Sequence, residues 1–223
     1  MCEFCDEFSG GTSNSFFRLY AEDLSARTLL ETPIFCVVPS LGQMVSGYLM
    51  IVPKDHIARF SELRSVQGEL LSLTNQIKQL LTDVYCEPLL FEHGASGPNS
   101  GGCGIYHAHL HFVPIRNADL IMRQLQNDHE FRKLPSMSAL FDVQADPYIY
   151  VEHSSIGCCI TETKYLPSQY IRRIIAESLR LGEWDWRKCG RENSLMATMS
   201  TLGGILRTEA RHDIANCSRA VSQ

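Results

Sequence analysis

The hydrophobic pattern of the first hundred residues predicts short strands around one long helix. Apolar runs at 34–38 and 48–52 predict two strands, and the second ends at Pro53 because proline lacks the donor that a ladder needs. From Ser61 to Tyr85 apolar residues recur at helical spacing, which predicts a helix with one buried face. Residues 89–92 predict a further strand.

The second half of the chain has its own alternation of patterns. Residues 117–140 are polar and are expected to be helical in part. Runs at 148–152 and 157–161 predict a hairpin, and an apolar stripe predicts a helix over 168–181. A weaker helical pattern covers 194–207.

Three histidines alternate with apolar residues between Tyr106 and Val113, and they are His107, His109 and His111. In a β-strand this spacing puts the imidazoles on one face, about 6.6 Å apart, and the apolar side chains on the other. The apolar row can pack on the helix predicted over 61–85. A fold gains nothing from a row of imidazoles, so the pattern predicts a functional site.

A glycine-rich loop directly precedes the histidines. Four of the eight residues from Gly97 to Gly104 are glycine, which allows close backbone approach and can point amide donors at an anion. Most such loops are merely turns, but beside a histidine row this one predicts a phosphate cradle.

Composition narrows the partners of the protein. The 223 residues are 44% hydrophobic and 20% charged, with a net charge of −5, which argues against a nucleic-acid backbone or an anionic membrane as the main partner. The apolar runs are too short to span a bilayer. The first ten residues are acidic and polar, unlike a signal peptide, and nine scattered cysteines favour reduced thiols. We therefore expect a cytoplasmic protein.

Two further features leave alternatives open. Cys2 and Cys5 have zinc-knuckle spacing but supply only half of a tetrahedral site, and they could also be two unrelated cysteines. Arg172 and Arg173 could reach a phosphate, although such arginines are more often solvated or paired. Trp186 could stack on a base or pack the C-terminal half on the rest of the chain.

At these residues the sequence resembles the histidine triad (HIT) superfamily, whose signature is His-φ-His-φ-His-φ-φ with φ apolar. The motif stands complete from His107 to Val113, and a second matching stretch runs from Gly47 to His56. The resemblance covers residues 1–116 and implies an α+β catalytic core of about five antiparallel strands with covering helices. Residues 117–223 are similar to the C-terminal extensions of larger members and predict a mixed α/β extension. Its tail, at 212–223, is expected to be disordered.

The resemblance also implies a mechanism. His109 would attack an α-phosphorus of a nucleotide or nucleotide conjugate and form a covalent nucleotidyl-imidazole intermediate, cleaving a P–N or P–O–P linkage. His111 would bind phosphoryl oxygens or assist the leaving group, beside His107. Alternatives are a nucleotidyltransferase or phosphorylase that uses phosphate or a sugar phosphate as acceptor, and a nucleotide-binding protein with little catalysis.

The expected substrate contacts lie in and before the loop. The backbone amides from Gly102 to Gly104 would stabilise developing charge, and the candidate substrate- or phosphate-binding residues are Gly102, Cys103, Gly104, Glu92 and Asn99. Cys103 and Gly104 replace the Gln and Ser of many relatives, and Glu92 replaces an Asn. The acidic residue that holds the ribose in many relatives is missing from Val37 to Ser40, which leaves the nucleoside open.

Zinc-carrying members of the superfamily imply a metal site and a quaternary structure. His56 and His107 would complete a structural Zn²⁺ site with Cys2 and Cys5, and His93 is the rival ligand. Most small members dimerise, so a homodimer is expected, although the extension could occupy that surface.

Overall fold

The computed structural model describes residues 2–20, 24–97, 104–163, 166–188 and 193–206. The strands are β1 (Leu30–Glu31), β2 (Phe35–Pro39), β3 (Leu49–Pro53), β4 (Pro88–Gly94), β5 (Leu110–Pro114), β6 (Arg132–Leu134), β7 (Tyr148–His153) and β8 (Gly157–Glu162). The helices are α1 (Glu3–Phe8), α2 (Ser15–Tyr20), α3 (Gln67–Val84), α4 (Ala118–Asp128), α5 (Tyr170–Ser178) and α6 at 193–206. Short 3₁₀ segments lie at Phe60–Glu62, Arg64–Val66 and Met137–Asp142.

All eight strands form a single antiparallel sheet in the order β1-β2-β3-β5-β4-β7-β8-β6. The first five strands of the chain lie side by side, so the predicted α+β class with about five antiparallel strands is confirmed. The C-terminal half continues the same sheet, because β7 pairs with β4 from Leu90 opposite Glu152 to Gly94 opposite Tyr148. The division at residue 116 stays a prediction.

The two faces of the sheet pack against different helices. Helix α3 covers one face, where Leu70 and Ile77 join Ala108, Leu110 and Phe112 in one buried cluster. This is the packing of the apolar row that the alternation predicted. Helices α4 and α5 cover the other face, and α1 packs there on β2 and β3. The histidine face of β5 is therefore the face that α1 and α5 cover.

The structure differs from the predicted elements mainly in short segments. Helix α3 begins at Gln67 rather than near Ser61, since the preceding residues form 3₁₀ turns. The polar stretch after residue 117 contains α4, β6 and a 3₁₀ segment, and α1, α2 and β1 were not predicted. Helix α4 accounts for the helical part expected in that stretch, whereas α1, α2, β1 and β6 have six residues or fewer and are too short to display a hydrophobic period. No helix in the described ranges is both long and apolar enough to cross a membrane.

Candidate functional site

The three histidines lie where β5 begins, and only His111 is within the strand. The ladder between β3 and β5 starts with Ile51 opposite Leu110, so His107 and His109 precede it. Residues Val52 and Pro53 of β3 lie beyond this pair, and proline has no N–H to offer a further ladder bond. The Pro53 carbonyl oxygen instead lies 2.7 Å from Nε2 of His107. The side chains nevertheless alternate as predicted, with the histidines opposite Ala108 and Leu110.

His109 is held as a neutral imidazole of one tautomer. Its Nδ1 lies 2.6 Å from the carbonyl oxygen of His107, and because a carbonyl only accepts, Nδ1 carries the ring proton. Burial lowers the pKa of His109 to about 4, and the side chain is 8% exposed. At neutral pH the Nε2 atom therefore bears a lone pair, which is the state that a nucleophile needs.

His111 is fixed by aromatic neighbours. Its ring stacks on Phe91 with 4.2 Å between centroids, and its Nδ1 lies 2.8 Å from the hydroxyl oxygen of Tyr48. Burial lowers the pKa of His111 and raises that of Tyr48, so the imidazole is neutral and the phenol keeps its proton. Donation from Tyr48 to Nδ1 puts the His111 proton on Nε2, where it is available to a bound ligand. The rings of His109 and His111 are 4.8 Å apart.

A second group of side chains forms a compact cluster at the N-terminus. One ligand atom from each of Cys2, Cys5, His56 and His107 lies within 4.8 Å of the others. The His107 Nδ1 is 3.4 Å from Cys2 Sγ and 3.6 Å from Cys5 Sγ, and Cys5 Sγ is 3.3 Å from His56 Nδ1. The four residues are those that the resemblance implies as metal ligands.

These distances fit a tetrahedral metal ion. Zinc at about 2.3 Å from sulfur and about 2.0 Å from nitrogen separates the two donor atoms by about 3.6 Å. His107 also has the partner that ligating histidines usually have, since its Nε2 donates to Pro53 and leaves the Nδ1 lone pair toward the cysteines. His93 lies outside this group, so the structure does not support it as the rival ligand.

A pocket opens beside His109 and His111, and the C-terminal half of the chain forms one of its sides. The pocket is lined by Gln169, which directly precedes α5, by the first three residues of that helix, 170–172, and by Trp186. On the opposite side lie Phe4 of α1 and other residues of the N-terminal segment. The sequence pattern missed this contribution from α5 because nothing in a helix period shows what its buried face covers.

The two candidate arginines have different surroundings. The Nε atom of Arg173 lies 3.7 Å from a carboxylate oxygen of Glu177, and the Arg173 side chain is 42% exposed. Arg173 is therefore a partly exposed, paired arginine, which is the more common situation. Arg172 is 4% exposed and lines the pocket. Trp186 is 8% exposed and packs with Phe16, so it holds the C-terminal half on the N-terminal segment.

Of the predicted substrate-binding residues in the glycine-rich loop, the structure describes only Gly104. Asn99, Gly102 and Cys103 lie outside the described residues. Gly104 has a φ of +86°, and an added Cβ would lie 2.8 Å from a terminal nitrogen of Arg187. Glycine at this position thus serves both the backbone turn and the close approach of the C-terminal segment.

The structure does not bring Glu92 to the histidines. On β4 the side chains alternate, so Phe91 and His93 face the pocket while Glu92 faces the α3 side. Its carboxylate accepts a 2.8 Å hydrogen bond from the backbone N–H of Phe60 and a 2.5 Å bond from the hydroxyl of Tyr148. Glu92 therefore joins strand β4 to the segment before α3, away from the pocket.

Burial raises the pKa of Glu92 to about 7, which predicts a pH-dependent stability. A carboxyl whose pKa is higher in the folded state destabilises the fold as it ionises, so stability falls between about pH 4.5 and pH 7 and is level above that. The full loss is on the order of 3 kcal/mol. In Glu92→Gln we expect this fall in the free energy of unfolding, measured by urea titration at pH 5 and pH 8, to disappear.

The exposed Glu130 supplies the matched control for this experiment. Glu130→Gln is expected to keep the pH dependence of the wild type. A Glu92→Gln profile that still falls between the two pH values would assign the effect to another group.

The fold and the site together resemble those of histidine triad proteins. The complete His107–Val113 motif, the antiparallel sheet and the buried neutral His109 are the features of this chain that carry the resemblance. No family model matches the sequence. An uncharacterised HIT-like protein of Chlamydia muridarum is 24% identical over 112 residues, which are 50% of this chain and 89% of that protein.

The chain is also similar to several solved structures that are described as histidine triad or HIT proteins. A HIT family hydrolase from Legionella pneumophila Philadelphia 1 is 23% identical, covers 53% of this chain and 96% of its own, and has a TM-score of 0.38. A zinc-bound histidine triad family protein from Mycobacterium smegmatis is 16% identical, with 55% and 83% coverage and a TM-score of 0.35. A hypothetical histidine triad nucleotide-binding protein from Sulfolobus tokodaii strain7 is 18% identical, with 52% and 70% coverage and a TM-score of 0.39.

Proposed function

We propose that the protein is a nucleotidyl hydrolase or transferase that cleaves a nucleoside-phosphate P–N or P–O–P linkage through a covalent nucleotidyl-His109 intermediate. The observation that carries the proposal is the tautomer of His109. Its Nδ1 proton is bound by the His107 carbonyl, so the Nε2 lone pair of a neutral, buried imidazole is the group able to attack phosphorus.

The reaction has two displacements at one phosphorus atom. In the first, Nε2 of His109 forms a P–N bond while the bond from phosphorus to the leaving group breaks. The Nε2–H of the neutral His111, held in this tautomer by Tyr48, can donate a hydrogen bond to the leaving-group atom, and a leaving group that needs a proton takes it from water. In the second displacement, water or another acceptor forms a P–O bond and the P–N bond to His109 breaks. The backbone amides of the Gly102–Gly104 loop are proposed to stabilise the charge on phosphorus.

We also propose that Cys2, Cys5, His56 and His107 hold a structural zinc ion. When bound, the ion would supply a fixed point that ties the N-terminus to the start of β5, with four protein ligands and no open position for a reactant. His107 then has two roles, because its ring binds the metal while its carbonyl oxygen orients His109. The positions of His107 and His109 would then both depend on the N-terminal segment that carries Cys2 and Cys5.

The relatives support a HIT-type function of this kind. The Legionella protein is described as a hydrolase, and the Sulfolobus protein as a hypothetical nucleotide-binding protein. We propose a nucleotide or nucleotide conjugate as the ligand of this protein and, because the scattered cysteines favour reduced thiols, a cytoplasmic location. A homodimer, if formed, does not use the outer edge of β4, because β7 of the same chain occupies that edge.

The deciding experiment is intact-protein mass spectrometry after brief incubation with nucleoside phosphoramidates and dinucleoside polyphosphates. We expect a transient adduct of nucleoside monophosphate mass in the wild type and none in His109→Asn. Product analysis with added phosphate or sugar phosphate then separates hydrolysis from transfer. Ligand-induced stabilisation without adduct or product would favour the alternative of a nucleotide-binding protein.

A further inference from the structure

Arg172 is a buried cation whose recorded hydrogen-bond acceptors are all neutral. Its guanidinium donates to Ser40 Oγ at 2.9 Å, to the Gly42 carbonyl at 2.8 Å and, at 3.4 Å, to the carbonyls of Leu41 and Trp184. No carboxylate oxygen of the described residues lies within 4.0 Å of it. Burial of a charge is costly unless an opposite charge offsets it.

A second arginine of the same pocket shows the contrast. Arg27 is 3% exposed, but it makes two 2.7 Å bonds to the two carboxylate oxygens of Glu7. That pair is neutral as a unit. Glu3, the other carboxylate of the lining, lies 3.7 Å from Arg18 and accepts a 2.6 Å bond from the Ser15 N–H. Of the described arginines that line the pocket, Arg27 is paired with a carboxylate, whereas Arg172 is not.

The surroundings of Arg172 point to an anionic ligand. It belongs to the first turn of α5, whose residues line the pocket, and the N-terminal end of a helix favours negative charge. His93 lines the same pocket, and its Nε2 is buried without a hydrogen-bond partner among the described residues. A buried polar atom of this kind is normally satisfied, so a ligand is expected to supply the missing partner.

Arg172 is also close to the side chains that orient His111. Its guanidinium carbon lies 5.3 Å from the ring centroid of Tyr48, whose hydroxyl contacts His111. All three guanidinium nitrogens already donate to protein acceptors, so Arg172 acts on a ligand mainly through its positive charge. A guanidinium stays charged at every physiological pH, so it stabilises an anion without giving up a proton. It therefore suits a leaving group that departs as an anion.

We propose that Arg172, with His93 and the first turn of α5, forms an anion subsite that selects substrates whose leaving group is itself a phosphate. The inference rests on the proposed function and names its substrate class. His109 Nε2 forms the P–N bond, the bridging P–O bond breaks with its electron pair going to oxygen, and the departing phosphate remains as an anion on Arg172. No proton is needed in this step, in contrast to the loss of an amine from a phosphoramidate. Through Arg172, the C-terminal half of the chain then determines the preference for a P–O–P linkage over a P–N linkage.

The test compares the two substrate classes in matched variants. For Arg172→Gln we expect kcat/KM on a dinucleoside triphosphate to fall by about 10- to 100-fold, the range of one charge-assisted contact. On a nucleoside phosphoramidate with an uncharged amine leaving group we expect a change of less than about threefold. Arg172→Lys should recover part of the loss, and Arg173→Gln, the exposed neighbour, should behave as the wild type.

Inorganic pyrophosphate gives a readout that does not require turnover. It is expected to raise the melting temperature of the wild type and of Arg173→Gln, but not that of Arg172→Gln. Equal losses on both substrates, or no loss on either, would overturn the assignment of the leaving-group subsite, as would a wild type that pyrophosphate does not stabilise. A wild type that pyrophosphate stabilises but that gives no adduct and no turnover would instead contradict the proposed function and leave the anion subsite standing.

Discussion

Replacement of His109 by Asn is expected to lower kcat/KM by at least about 10⁴-fold, the scale on which loss of a covalent nucleophile acts. An amide nitrogen cannot attack phosphorus, although it can still donate to the His107 carbonyl that His109 contacts. The fold should survive, because the asparagine amide can keep the hydrogen bond to the His107 carbonyl and the remaining contacts of the side chain include packing against Phe4. We expect the free energy of unfolding to change by about 1 kcal/mol, measured by denaturant titration beside steady-state kinetics.

A remote histidine supplies the control for this substitution. His153 lies at the end of β7, where its ring contacts Ser155 and Glu87, and it is not part of the pocket lining. His153→Asn should retain wild-type turnover. Normal turnover in His109→Asn would contradict the covalent mechanism, whereas equal losses in both variants would indicate a general effect of histidine removal on the fold.

Replacement of Cys5 by Ser is expected to remove bound zinc and much of the stability of the N-terminal segment. A site occupied at a thousandfold excess over Kd stabilises the fold by about 4 kcal/mol. In a protein of this size that corresponds to about 10 °C in melting temperature. Metal analysis should find about one zinc ion per chain in the wild type and a small fraction of that in Cys5→Ser. A chelator should reproduce the change in the wild type.

Cys86 provides the matched cysteine, since it is a half-buried free thiol outside the four-residue cluster. Cys86→Ser should keep both the metal and the melting temperature. Equal zinc contents in the two variants would contradict the proposed ligand set.

Loss of the metal should also reduce turnover, because the proposed zinc ligand His107 contacts the proposed nucleophile, His109, through its own carbonyl oxygen. We expect kcat/KM to fall by about 10-fold or more, which is the typical effect of removing a group that orients a catalytic or metal-binding residue. Added zinc should restore turnover in the chelator-treated wild type but not in Cys5→Ser. A protein that retains full turnover without metal would show that the position of His109 does not depend on the cluster.

The sequence by itself determined the local periodicities and the chemistry of the histidine row. Strands β2, β3, β4, β7 and β8 and the helices α3 and α5 follow from apolar runs or stripes long enough to show a period. The strict alternation at His107, His109 and His111 determined which face of the strand carries the imidazoles, because side chains alternate along an extended chain. The residues alone indicated only the Cys2–Cys5 half of the candidate metal cluster, and the resemblance implied His56 and His107.

Only the tertiary structure decided which distant residues meet. Glu92 and His93 are neighbours in sequence, yet the pleat of β4 sends them to opposite faces of the sheet, and only His93 lines the pocket. Arg172 and Arg173 are equally adjacent, and the packing of α5 buries one beside Tyr48 and exposes the other. The physical reason is that periodicity defines the face of an element on which a side chain lies, whereas its partners depend on which elements pack across that face. The anion subsite therefore exists only once α5 packs over the histidines.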